Sequence, residues 1–400
     1  MKKKTFLKSL SFTSLALLMG AAGVFAFAPL GASPSVANAS EMVDQINTKA
    51  DGENIKYAPS ALGLDPENDP VIYTTESGLE IKYGGENVND QIASGQPLAG
   101  YPYFTMGTYN GYEVNWVIIG RNTNDTVFTS AISSYLYSTW KTNNNISYSG
   151  LKPFAKYWFN GGGYETTTPA GSAINGVVPS KSYVADVTKA TKSVVANAEV
   201  PSGCVLAISE CMLTECVYYP TVGTDNSTNY EVSTLKNTMN TLYNSSLNLT
   251  EVEKKLVVSQ DLVQIYSKYP GSGSTSSSYT NFIYSSSSSQ QKFFPLGALG
   301  SYTSVSQATA IKQNYKIETY LTTSALRKVY VIGTTTSARY WLRSGIGHRQ
   351  DPLFVKLNGD ISDGDTTAAG GSATASSGSS YDVNCDAKFG VRPACVISLA

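Results

Sequence analysis

The side chains able to do chemistry are few. His348 is the only histidine in 400 residues, which removes most metal sites and most histidine-assisted nucleophile triads. It stands in Gly347-His348-Arg349-Gln350-Asp351, with a hydroxyl close in sequence at Ser344. A lone histidine in so polar a segment reads as a surface residue. Asp360, Asp363 and Asp365 cluster after Asn358-Gly359. Two carboxylates at a suitable separation can cleave a glycoside, and oxygen ligands can hold calcium. The spacing matches no calcium loop, and acids in Asp-Gly turns are ordinary turn chemistry. The five cysteines are Cys204, Cys211, Cys216, Cys385 and Cys395, an odd number that leaves at least one thiol over. Cys211 and Cys216 fit no zinc knuckle, and the set reads as small buried hydrophobes with room for one bridge. No catalytic residue, metal or cofactor is assigned.

Positioning falls to the far end of the chain. Tyr340-Trp341-Leu342-Arg343-Ser344 is compact and aromatic, and Leu353 to Ile361 alternates apolar and polar residues around Asn358-Gly359, a strong hairpin signal. Phe389-Gly390-Val391-Arg392-Pro393-Ala394 leads into the apolar run Cys395 to Leu399. So apolar a terminus must be paired inside a sheet, or it would aggregate. Arg343 and Arg392 are expected to lock the ends of that sheet, through backbone carbonyls or a carboxylate.

Upstream, Val71 to Thr74, Leu79 to Tyr83 and Tyr103 to Tyr109 read as strands. Asn110-Gly111 turns the last of these into Tyr112 to Ile119, with Trp116 facing the core. Glu231 to Tyr243 carries Val232, Leu235, Met239 and Leu242 near one helical face. Thr250 with Glu253 makes a capping box that opens a second helix through Val258. Gly271 to Gln290 and Thr366 to Ser380 are low in complexity and read as loops. Between Arg121 and Ser202 lies an insertion rich in Ser, Thr, Asn, Gly and aromatics, including Trp140 and Tyr157-Trp158-Phe159. Its aromatics read as packing on the parent domain, with a sugar-stacking platform as the alternative.

The chain's ending resembles a family of secreted Gram-positive bacterial domains of unknown function, marked by W-L-R-S, a glycine hairpin and G-V-R-P-A. Gly107-Thr108-Tyr109 with Val114-Asn115-Trp116-Val117-Ile118 looks like that family's opening hairpin. Val205 to Glu210 is similar to its inner strand, and Thr234 to Leu256 to its helical segment. The family in turn resembles C-type-lectin-like and formylglycine-generating-enzyme folds. The resemblance implies an α+β, C-type-lectin-like fold with short antiparallel strands, two helices and long loops over residues 71–400. It implies a structural signature of Trp116, Trp341, Arg343, Gly390 and Arg392. It also implies ligand contact at Gly345 to Asp351 and Tyr381 to Asp386, where His348, Arg349, Asp351, Tyr381, Asp382 and Asn384 are the chosen residues. Formylglycine-generating enzymes use a cysteine-bound copper. Here Cys385 and Cys395 lie ten apart, poor grounds for such a pair, and Cys395 sits in an apolar strand pattern.

Residues 1–39 read as a signal peptide: Lys2, Lys3, Lys4 and Lys8, an apolar core from Leu15 to Leu30, then Ala37-Asn38-Ala39 before Ser40. A polar linker follows over 40–70, containing Asp65-Pro66-Glu67-Asn68-Asp69-Pro70. Without the leader's four lysines the chain holds 25 basic and 30 acidic side chains, a net of −5. That balance argues against nucleic acid, and no integral membrane segment is expected after cleavage. The expected function is a secreted or cell-envelope binding module that meets a cell-surface glycan or protein through its loops. The alternatives are an enzyme, as an acid-pair glycosidase or a cysteine-dependent oxidase, and a structural envelope component.

Overall fold

The computed structural model describes residues 56–85, 100–125, 128–129, 193–221, 228–268, 283–298, 313–344, 352–362, 364–365, 381–382 and 385–400. The chain divides into two units, Met1–Glu41 and Met42–Ala400, and every described residue belongs to the second. These residues form a mixed α/β structure made mostly of strands. No helix among them is long and apolar enough to cross a membrane.

In chain order, β1 (Lys56–Tyr57), β2 (Val71–Thr74), β3 (Glu80–Gly84), β4 (Tyr101–Tyr109), β5 (Tyr112–Arg121) and β6 (Val195–Ala196) come first. β7 (Cys204–Ser209) and β8 (Thr214–Val217) precede helices α1 (Thr234–Thr241) and α2 (Glu251–Leu256). β9 (Val257–Val258), β10 (Gln260–Lys268), β11 (Ile283–Gln291) and β12 (Phe293–Phe294) lead to single-turn helices α3 (Ile317–Tyr320) and α4 (Ser324–Arg327). The last strands are β13 (Tyr340–Trp341), β14 (Phe354–Val355), β15 (Ile361–Ser362), β16 (Gly364–Asp365), β17 (Tyr381–Asp382), β18 (Lys388–Val391) and β19 (Ala394–Ser398). The larger sheet runs β12-β19-β7-β5-β4-β3-β2, with β1 and β6 on β5 and β9 on β19; the smaller runs β15-β14-β13-β18-β8.

The expected strands and turns fall where their chemistry places them. Asn110 and Gly111 take φ of 51° and 80°, the left-handed pair that a two-residue hairpin between β4 and β5 requires. Trp116 is fully buried against Phe293, ring centroids 5.0 Å apart, and its Nε1 donates to the Met106 carbonyl. Every residue of β7 is buried between β5 and β19, as an uninterrupted apolar run predicts. The terminal strand β19 is likewise interior.

One ribbon joins the sheets. The run 204–217 holds β7 and β8, the run 388–398 holds β18 and β19, and the two pair antiparallel in both sheets. They part only where Ser209 to Leu213 face Arg392 and Pro393. Ser209 N–H donates to the Pro393 carbonyl and Leu213 N–H to the Val391 carbonyl, bracketing the corner. Arg392 fills it. Its Nε donates to the Ser209 carbonyl at 2.8 Å, and its Nη1 reaches the Leu326 and Arg327 carbonyls and the Tyr340 hydroxyl. Beside it, Gly390 permits a close approach: a Cβ there would stand 2.2 Å from Met212 Sδ and 2.6 Å from the Arg339 carbonyl.

Four expectations need correction. Residues 56–70 do not end a linker: β1 pairs with β5, and Leu62, Leu64 and Asp69 are buried. Two interior leucines and one well-bonded acid outweigh the polar composition. The first helix begins at Thr234, after a 3₁₀ turn at Tyr230–Val232, because the Ser233 hydroxyl accepts from Lys236 N–H and caps it there. Val232 is therefore outside the helical period and is exposed. The second helix has its capping box but ends at Leu256, and Val257–Val258 pairs with β19 instead. Finally, Ile283 to Gln290 is strand, not loop. It pairs along the whole length of β10, with the backbone ladder formed despite a serine run that shows no alternation.

Arg392→Lys keeps the charge but loses the planar fork. Chemical denaturation is expected to show a loss of about 2–3 kcal/mol, the scale of one bond from a charged donor to a buried carbonyl. A loss under about 0.5 kcal/mol, the scale of a surface change, would mean that the corner holds without the guanidinium.

Candidate functional site

The backbone at Arg343 and Ser344 gathers the stems of three segments. Leu353 N–H donates to the Ser344 carbonyl at 2.8 Å, closing the stem of 345–352. Ala298 N–H and the Gln313 amide both donate to Ser344 Oγ, tying in both ends of 299–312. The Tyr218 hydroxyl donates to the Arg343 carbonyl at 2.9 Å and lies 3.3 Å from the Thr228 carbonyl, so the stem of 222–227 joins them. These are fixed by the smaller sheet's aromatic core: Trp341 packs on Phe389 at 4.5 Å, Phe354 on Phe389 at 4.7 Å, and Tyr218 edge-on to Trp341 at 5.7 Å. Trp341 Nε1 donates to the Cys216 carbonyl.

The Arg343 side chain runs beneath this node, fully buried. It donates to the Pro295, Val263 and Asn314 carbonyls. Burial lowers its pKa to about 10, opposed by the nearby hydroxyls of Tyr230 and Tyr218. Burial raises both of those tyrosines. Among the described residues, Arg343 Nε, Gln313 Oε1, Tyr230 Oη and Gln264 Oε1 are buried with no hydrogen-bond partner. Buried polar atoms are rarely left so.

Of the six residues expected to meet ligand, His348, Arg349, Asp351 and Asn384 lie outside the described residues. Tyr381 and Asp382 form β17, paired with Asp365 and Gly364 of β16. β13 and β18 run parallel, so 345–351 follows the end of one while 385–387 precedes the start of the other. Tyr218 spans that interval: it bonds Arg343, and the Cys385 thiol lies within its electrostatic reach. Cys385 Sγ in turn sits 3.6 Å from the Thr221 carbonyl. The described residues thus tie the start and end of 345–351 to Ser344, and Cys385 to the neighbourhood of Tyr218 and Thr221.

Of the three clustered carboxylates only Asp360 has a described side chain. Asp360 is exposed and accepts from Asn358 at 2.8 Å; Asp363 lies outside the described residues, and Asp365 is described by its backbone alone. All five cysteines are buried thiols. Cys395 faces Phe293 and Ala207 across the larger sheet, whereas Cys385 stands ahead of the smaller one. Among the described residues no group of three or more His, Cys, Asp or Glu side chains is placed to hold a metal ion.

Sequence reasoning passed over Tyr218, Gln313 and Glu210. An acid directly after the apolar run Val205 to Ser209 was a usable sign of burial; nothing in the sequence marks Gln313. No family model, curated protein or solved structure matches this chain.

Two outcomes are expected. Ser344→Ala removes the acceptor shared by Ala298 and Gln313 and should cost about 1–3 kcal/mol, the penalty for stranding a buried donor, in thermal or chemical unfolding. Burial pushes the Cys211 and Cys216 thiols up to about 12 and raises those of Cys204 and Cys395. Raised thiols stay protonated and unreactive at pH 8, so a disulfide reagent should titrate all five cysteines only after unfolding. Rapid native reaction of any of the five would contradict their burial.

Proposed function

We propose that this chain is a secreted or envelope-associated binding module on a C-type-lectin-like scaffold, meeting a cell-surface glycan or protein. The observation that carries the reading is the convergence of loop stems on Arg343, Ser344 and Tyr218. Residues that flank 222–227, 299–312 and 345–351 meet there: Thr228 at Tyr218, and Ala298, Gln313 and Leu353 at Ser344. Loops held on a rigid scaffold are where binding is usually placed. Their sequences are rich in residues that hydrogen-bond and stack at low entropic cost, among them Asp225, Asn226, Tyr302, Gln307 and Gln350. The motifs shared with the secreted Gram-positive family support the same scaffold, whose ligands are expected at His348, Arg349, Asp351, Tyr381, Asp382 and Asn384.

The test is saturable binding of the chain lacking residues 1–39 to a glycan array and to cell-surface extracts. A variant with those six residues changed together to alanine or serine should melt within a few degrees of the parent, since exposed changes usually cost under about 0.5 kcal/mol each. Its affinity for any ligand found should drop at least about tenfold, or 1.4 kcal/mol. Unchanged affinity in a folded variant would move the site elsewhere. Absence of saturable binding in both assays would overturn the reading.

A further inference from the structure

Two Asn-Gly pairs occur among the described residues, each at the turn of a hairpin: Asn110-Gly111 between β4 and β5, and Asn358-Gly359 between β14 and β15. The dipeptides are the same, and their surroundings are not. At the second, the carboxamide is held at both ends. Asn358 Nδ2 donates to Asp360 Oδ2 at 2.8 Å, and Asp360 N–H donates to Asn358 Oδ1 at 3.1 Å. The following glycine is buried, and its N–H donates to the Lys356 carbonyl at 2.9 Å. Its own carbonyl accepts from Arg327 Nη1 at 3.2 Å. Gly359 also lies hard against α4: a Cβ there would stand 2.2 Å from the Ser324 carbonyl oxygen.

Asn110 and Gly111 carry none of these restraints. Both are exposed, and nothing lies within 4 Å of where a Gly111 Cβ would be. Among the described residues, neither the Asn110 carboxamide nor the Gly111 N–H has a hydrogen-bond partner. The turn is held by its two left-handed φ angles, 51° and 80°, and by the Tyr109–Tyr112 pairing that closes the strands. An asparagine followed by glycine is the pair best able to cyclise, because no side chain shields the attacking backbone nitrogen. What then sets the rate is how freely carboxamide and nitrogen can come together.

We propose that Asn110 is a site of spontaneous deamidation in the folded protein, while Asn358 is protected from it. The Gly111 backbone nitrogen gives its proton to hydroxide and attacks Asn110 Cγ. A C–N bond forms, the Cγ–Nδ2 bond breaks, and ammonia leaves with a proton taken from water. Water then opens the five-membered imide at either carbonyl, giving aspartate or isoaspartate, so one water enters for each ammonia lost. Ring closure requires rotation about the Asn110 Cα–C bond, out of the left-handed region, and solvent leaves room for it. At Asn358 the same rotation must break the two bonds to Asp360 and drive Gly359 from its seat against Ser324. Either product puts a negative charge at the tip of the β4–β5 hairpin, between Tyr109 and Tyr112. Isoaspartate also lengthens the main chain there by a methylene group.

Peptide mapping by mass spectrometry tests this on the chain lacking residues 1–39, incubated at pH 8.5 and 37 °C, with electron-based fragmentation to tell isoaspartate from aspartate. In the folded chain Asn110 should convert at least about tenfold faster than Asn358, the scale of the hydrogen bonds that hold the second pair. In the chain unfolded in guanidinium chloride the two should convert within about threefold of each other, less than one such bond is worth. Asp360→Ala frees the Asn358 carboxamide at one end and should speed its conversion in the folded chain by roughly threefold or more, with Asn110 unchanged. Equal rates in the folded parent, no conversion of Asn110 there, or a difference that survives unfolding would overturn the proposal. An Asn358 no faster in a folded Asp360→Ala variant would overturn its protection. Should that variant not fold, the comparison of folded with unfolded parent decides by itself.

Discussion

A backbone that leaves one sheet to join another must hand off its hydrogen bonds, and Arg392 makes that possible here. Between β7 and β8 the chain bends out of register with its partner run, leaving carbonyls that no strand can satisfy. A buried carbonyl without a donor is costly. One guanidinium answers several of them: the Ser209 carbonyl on the ribbon itself, and those of Leu326 and Arg327 on the neighbouring helical turn. Its face also lies over the Tyr340 ring, 5.3 Å from the centroid. Since Tyr340 opens β13, the corner also sets where the smaller sheet's central strand begins. Arg343 repeats the device two residues after β13 ends, satisfying carbonyls from three separate segments. The loop stems rest on that second arginine.

Strands whose residues alternate, or whose turns demand a left-handed pair, were readable from sequence. Asn110-Gly111 and Asn358-Gly359 each announced a hairpin, and the apolar end of the chain announced an interior strand. What escaped reading was pairing that leaves no mark on side-chain pattern. β11 has five serines in a row among its nine residues, and only its register with β10 shows that it is a strand. Residues 58–70 looked like a linker because prolines and acids dominate them. Their place is decided by the few positions that face inward, Leu62, Leu64 and Asp69, and by a tyrosine donor some thirty residues later in β4.

The site was legible in half. Trp341, Arg343, Gly390 and Arg392 stood out as a compact motif, and each proves to be buried at or beside a junction. The node they support depends on Tyr218, Gln313 and Asn314, which lie far away in sequence and are ordinary in composition. No local pattern could have joined them to Ser344. Their association is a property of topology: β8 and β18 bring Tyr218 beneath Trp341, and the Gly297–Tyr315 bond returns Gln313 to the same place.

The shared ribbon also orders events in time. Arg392 and the Ser209 carbonyl it bonds are separated by 183 positions, and β19 lies between β7 and β12 in the larger sheet. Neither sheet can close until the last eleven or so residues arrive, so the fold has a high contact order and a late, all-or-none completion. A chain emerging N-terminus first leaves β7 paired with β5 alone until β19 follows. For that interval one edge of β7 stands open, and Val205 to Ile208 offer a strand edge to other chains.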